Sequence, residues 1–379
     1  MEGNGVRAAR LRGYLAADSS NTELACELSD ELVSLGEFEE AEAVLASLPV
    51  SLQAVVSIEF RRARLAVMAG RYAEALLVLE ALEIGSPNDL AISHDRAFCH
   101  LCLRELQHAR GIVEAALNTH GAVPSLLVLG ARIALAEQQY PQALDYLQHA
   151  VTLDPNDAQA AGVLALALFD SSNFNAAGNA AENALKLDPD QHEALLVAAT
   201  LALWQRQWDV AQALYERALQ RHANSGRALS GLGQCLMLRN DLPTAHAVLS
   251  RATRAMPEHI GTWHALAWSQ LLQGDAQGAH ASYQQAYAVD RNFGDTHGGL
   301  ALVAVLRGDD AGAEQSIERA LRLDRNSITA RYARSLLLQN RGDTEASEAL
   351  LSELIQAGGL PAVPVAEFAQ RLRQTLSPP

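Results

Sequence analysis

One spacing constrains this chain more than any other: an alanine returns every 34 residues. The series runs Ala41, Ala75, Ala109, Ala143, Ala177, Ala211, Ala245, Ala279 and Ala313, with Ser347 at the tenth step and no insertion or deletion between them. A strict period of this length marks a stacked repeat protein, in which each repeat buries its apolar face against its neighbours. It overrides the expectation that 379 residues fold as two or three globular domains. With the period fixed, position 1 of the repeats falls at Thr22, Val56, Leu90, Pro124, Ala158, His192, Gly226, Ile260, Gly294 and Ile328.

Residues 260–291 show what one repeat is. They read as two amphipathic helices broken at Gly274 and Asp275, the first with Trp263, Leu266, Ala267 and Gln270 on one face, the second with Ala279, Tyr283 and Ala286. Across the chain, small side chains recur at positions 8, 20 and 27, where two helices must approach closely. Larger ones at position 24, such as Leu45, Leu147, Tyr215, Leu249 and Ile317, fill the space between repeats. Position 15 holds Gly36, Gly70, Gly274, Gly308 and Gly342, suited to the left-handed residue that ends a helix. Pro87, Pro155, Pro189 and Pro257 at position 32 stop the second helix.

The pattern resembles the tetratricopeptide repeat family, whose landmarks stand here as Trp263, Leu266, Ala267, Gln270, Ala279, Tyr283 and Ala286, and in the preceding repeat as Leu229, Leu232, Gly233, Leu236, Ala245, Leu249, Ala252 and Pro257. The resemblance implies an all-α, right-handed superhelical solenoid of ten helix–turn–helix repeats over residues 22–361. Residues 1–21 are expected to form a half repeat, with Leu11, Tyr14 and Leu15 at second-helix positions. Residues 362–379 are expected to supply a capping helix and tail, with Val365, Phe368, Ala369 and Leu372 turned to the stack. Glu59, Arg62, Ser93, Arg96, Arg331 and Arg334 stand at positions 4 and 7, where apolar residues belong; the long ones are expected to snorkel or pair.

Composition narrows function. The net charge of −15 leaves no basic stripe to displace phosphate counterions, so nucleic acid is not an expected partner. Cys26, Cys99, Cys102 and Cys235 are too sparse for a disulfide framework. The stretch MEGNGVRAARLRGYLAADSS lacks an apolar signal core, and no long apolar run predicts membrane insertion, so a cytoplasmic protein is expected. Cys99 and Cys102 match C-x2-C, but no second pair of that kind completes a zinc site. No catalytic motif or phosphate-cradling glycine loop occurs. No metal, cofactor or catalytic residue is therefore expected.

What remains is a binding surface. Positions 2, 5, 9, 12 and 13 lie opposite the packing side of each first helix, and in the family that side lines a groove holding peptide segments of partner proteins. Trp204 and Trp268 fall there near Leu238, Leu272 and Leu306, and form either an exposed apolar trough that accepts a partner segment or, where the superhelix closes on itself, rings buried by the chain's own stack; Leu166, Gln234 and His264 line the same side. Phe60, Arg64, His94, Phe98 and Arg132 form a second patch, suited to an acidic peptide or left as solvated arginines. Some relatives grip a terminal carboxylate with Lys and Asn at positions 5, 6 and 9; those residues are missing here. A protein or peptide partner is thus the expected ligand of a non-catalytic scaffold or adaptor. A self-assembling homo-oligomer, or a recruitment subunit of an enzyme complex, is the alternative.

Overall fold

The computed structural model describes residues 2–356, and every regular element among them is an α-helix. The chain divides into two compact units. The first, Met1–Ser171, opens with α1 (Glu2–Ala17), followed by α2 (Thr22–Leu35), α3 (Phe38–Ala46) and the short α4 (Val50–Gln53). It continues with α5 (Val56–Met68), α6 (Tyr72–Gly85), α7 (Leu90–Cys102), α8 (Leu106–His120), α9 (Pro124–Ala136), α10 (Tyr140–Leu153) and α11 (Ala158–Asp170). The second, Ser172–Pro379, carries α12 (Phe174–Leu187), α13 (His192–Trp204), α14 (Trp208–Arg221), α15 (Gly226–Leu238), α16 (Leu242–Ala255) and α17 (Ile260–Leu272). It goes on through α18 (Ala276–Val289), α19 (Gly294–Leu306), α20 (Asp310–Leu323), α21 (Ile328–Asn340) and α22 (Thr344–Gln356).

The helices obey the 34-residue period closely. Every first helix starts at position 1 and every second helix at position 17. Within each compact unit the link between them is a Schellman turn. In the fourth repeat, for example, Gln138 donates its N–H to the Leu135 carbonyl (3.0 Å) and Gln139 to the Ala134 carbonyl (2.8 Å). Position 15 is left-handed throughout, with glycine in five repeats and Arg104, Gln138, Ser172, Arg206 and Asn240 in the other five. An L side chain pays about 1 kcal/mol to sit there. Gln138 has φ 59° and an exposed side chain. Gln138→Gly is therefore expected to stabilise the first unit by about 0.5–1 kcal/mol, read as a raised denaturation midpoint in circular dichroism.

One repeat departs from the pattern. Pro49 sits where other second helices run on, and with no N–H to donate it ends α3 at Ala46. Gln53 donates to the carbonyls of Ala46 (3.0 Å) and Leu48 (2.8 Å) left open there. At the start of the chain Ala8 and Leu11 are buried and Leu15 packs against the same cluster, whereas Tyr14 is exposed. The expected capping helix at residues 362–379 lies outside the described residues.

Packing follows residue size. The nine alanines at position 20 are all fully buried, and Ser347 nearly so. Position 24 is matched to position 6 of the next repeat. Where position 24 is tyrosine, position 6 is glycine: a Cβ on Gly231 would lie 2.1 Å from the Tyr215 ring, and one on Gly299 2.1 Å from the Tyr283 ring. Gly298 is held tighter still, because a Cβ there would come within 2.7 Å of the Ala330 backbone nitrogen. The glycine pair in α19 thus serves close helix contact, with α21 on one side and Tyr283 on the other. Of the charged residues at positions 4 and 7, Arg96 pairs with Glu83 (3.3 Å) and Arg331 with Glu353 (2.6 Å), all but Glu353 half-buried.

Candidate protein-binding face

The two compact units treat the inner side of their first helices differently. In the first unit that side is open. Residues four apart on one helix share a face, so Phe60 and Arg64 of α5, and His94 and Phe98 of α7, project together. Arg64 is 60% exposed in its side chain, and its guanidinium lies 3.6 Å from Asp95, itself held by His94 Nδ1 at 3.0 Å. On the same side Asp30 is exposed and engages Arg61 of α5 at 2.6 Å, while Met68 at the end of α5 is half exposed. Phe60 is half-buried against the core around Tyr72, and Phe98 meets the Tyr72 ring edge-on at 6.3 Å. Arg132 of α9 and Leu166 of α11 are half-buried. The result is a shallow strip of aromatic edges and paired charges.

In the second unit the same positions are largely filled. Trp268, Leu238 and Leu272 are 3%, 4% and 6% exposed and belong to the hydrophobic core. This corrects the expectation of an exposed apolar trough at these three residues. The physical reason is the glycine-mediated approach of α19 to α21, which brings the Tyr332 ring within 6.4 Å of Trp268, two repeats away in sequence. Trp204 stays half-buried, its ring edge-on to Phe174 at 4.9 Å. Gln234 is half-buried and donates to the Ser230 carbonyl at 3.4 Å.

His264 has moved from candidate ligand contact to internal polar link. Its Nε2 lies 2.9 Å from Thr296 Oγ1, and its ring touches the edges of Tyr283 and Phe293. Burial, with His259 nearby, pushes its pKa down to about 4, so the imidazole is neutral at pH 7. Similar links join neighbouring first helices: Thr262 hydroxyl to Ser230 (3.4 Å), and Ser327 hydroxyl to Asp295. Burial raises the Asp295 pKa against the opposing Ser327 bond. These side chains tie repeat to repeat.

Asp95, the counter-ion of Arg64, escaped sequence reasoning because it stands at position 6, outside the expected groove positions. Its charge alternating with Arg61 of the preceding repeat at that position was the available signal. Of the cysteine pair, Cys99 is fully buried, and that burial pushes its thiol up to about 12, as suits a packed core residue. No helix among the described residues is long and apolar enough to cross a membrane.

Comparison with known proteins supports the architecture. Two family models, both described as tetratricopeptide repeat, match residues 202–267, and residues 128–192 and 264–328, together about half the chain. A structure of a monomeric mutant of IFIT1 with Gppp-AAAA superposes with a TM-score of 0.57 at 18% identity, over 94% of this chain and 91% of that one. The human IFIT1 dimer with m7Gppp-AAAA gives 0.56 at 18% identity, over 95% and 91%. YrrB, a tetratricopeptide repeat protein with an unusual peptide-binding site, gives 0.39 at 17% identity, over 50% and 97%. At 18% identity the likeness to IFIT1 is one of fold. No curated protein sequence matches the chain.

Proposed function

Because the chain belongs to the tetratricopeptide repeat family, whose repeats generally mediate protein–protein interaction, we propose that it is a non-catalytic scaffold whose partner lies along the open inner face of the first compact unit. The observation that carries this reading is the contrast between the two units. Positions 9 and 13 are exposed at Asp30, Arg64 and Met68, yet buried at Trp268, Leu302, Leu238 and Leu272. A binding surface must be open before the partner arrives, and of these two strips, among the described residues, the first offers exposed charge beside apolar edges.

The chemistry of the strip defines its ligand. Arg64 holds Asp95 loosely and can turn its planar fork to an incoming carboxylate. Phe60, Phe98 and Met68 supply apolar contact on either side. The partner segment is accordingly an extended or helical stretch with an acidic residue between apolar ones. The −15 charge of the whole chain opposes a nucleic-acid ligand on the same surface.

Arg64→Glu and Met68→Asp both alter exposed side chains and are expected to leave stability within about 0.5 kcal/mol. Partner capture from a lysate of the source organism identifies the ligand. Affinity for that purified ligand is then expected to fall at least tenfold in the double variant. Unchanged affinity in the double variant, with an unchanged melt, would overturn this placement.

A further inference from the structure

We propose that the corner between α7 and α8 is a divalent transition-metal site formed by His100, Glu105 and His108. One ligand atom from each of these three side chains lies within 4.8 Å of the others. Donors around a tetrahedral ion with bonds of about 2.0–2.1 Å stand roughly 3.3 Å apart, so small side-chain rotations close the remaining gap. Two imidazoles and a carboxylate, with an open fourth position, are a donor set that suits zinc, cobalt, nickel or copper and disfavours magnesium and calcium.

The corner itself brings the three together. His100 is position 11 and Glu105 position 16 of the repeat, and the Schellman bond from the Glu105 N–H to the His100 carbonyl (2.9 Å) clamps their backbones side by side. His108 follows Glu105 by three residues, hence on the same face of α8. Its ring stacks on that of His100, centroids 5.4 Å apart and 30° between planes. Glu105 stands at the N-cap of α8 but makes no side-chain cap bond there. It turns instead to His100 Nδ1, 2.6 Å away, so two of the three donors already face each other. The His100 ring is buried while Glu105 and His108 are exposed, so one fixed ligand meets two that can adjust. At the other well-formed corners the residues at positions 11, 16 and 19 do not repeat this trio.

Zinc ion alone is the probe, titrated calorimetrically into the untagged full chain in a non-coordinating buffer. One equivalent is expected to bind, with affinity reduced at least tenfold in His108→Ala and in Glu105→Gln. Cobalt is expected to give the visible absorption of a low-coordinate site in the native chain and not in the variants. Both variants alter exposed side chains, and their metal-free melts serve as the folding control. Zinc binding of equal affinity in the native chain and both variants would overturn the assignment, as would no saturable binding at all.

Discussion

Trp268→Ala is expected to destabilise the second compact unit by about 3–5 kcal/mol, the usual cost of deleting a buried aromatic ring. Trp268 is 3% exposed and lies against Tyr332 inside the same core as Leu238 and Leu272. Its removal leaves a cavity that α21 cannot fill by moving closer to α19, because Gly298 already holds those two helices in backbone contact. The measurement is convenient. All four tryptophans, Trp204, Trp208, Trp263 and Trp268, belong to the second unit, so their fluorescence follows that unit while circular dichroism follows both. Denaturant unfolding should shift to lower midpoint in fluorescence. An unchanged midpoint with selective loss of partner capture would return Trp268 to the binding surface.

Gly299→Ala should cost about 2–3 kcal/mol, and Tyr283→Leu in the same chain should recover most of that. A Cβ at residue 299 would sit 2.1 Å from the Tyr283 ring, which is fully buried and cannot swing away. Overpacking of a closed core typically costs 1–3 kcal/mol. Leucine at position 24 facing alanine at position 6 already occurs naturally in this chain, at Leu249 and Ala265. Tyr283 also carries a buried hydroxyl with no hydrogen-bond partner, so its loss removes an unmet desolvation cost. A double-mutant cycle in fluorescence-detected unfolding reads the coupling. Additive effects of the two substitutions would show that the tyrosine and glycine are not matched.

The helix pattern was legible because a strict period averages out local ambiguity. Trp263 or Ala279 alone says little, whereas the same offsets repeated down the chain placed helix starts at Val56, Leu90 and Ile260 to the residue. Glycine at position 15 announced five corners. The other five, Gln138 among them, adopt the same left-handed turn without the residue that advertises it, because the backbone bonds decide the conformation. Pro49 could have warned of the shortened α3, since proline interrupts the helical bond ladder wherever it falls. Which inner-face residues stay open was harder to read. Helical angles put Arg64 and Trp268 at the same position 9, yet one is exposed beside Asp95 and the other is buried against Tyr332, a partner two repeats away that helical angles do not reveal. The trio of His100, Glu105 and His108 eluded motif matching because its spacing straddles a turn.

The corner between paired helices has a consequence for how such a chain can change. Its two closing bonds run from main chain to main chain, so almost any side chain can occupy the bend, and glycine, arginine, glutamine and asparagine all do. Length is another matter. Each residue advances a helix by about 100°, so one extra residue in that link would swing the alanine stripe of the following helix out toward water. Sequence drift is therefore cheap at these bends, while a shift of even one place in the count is not. An array built this way tolerates change chiefly in whole multiples of its own repeat.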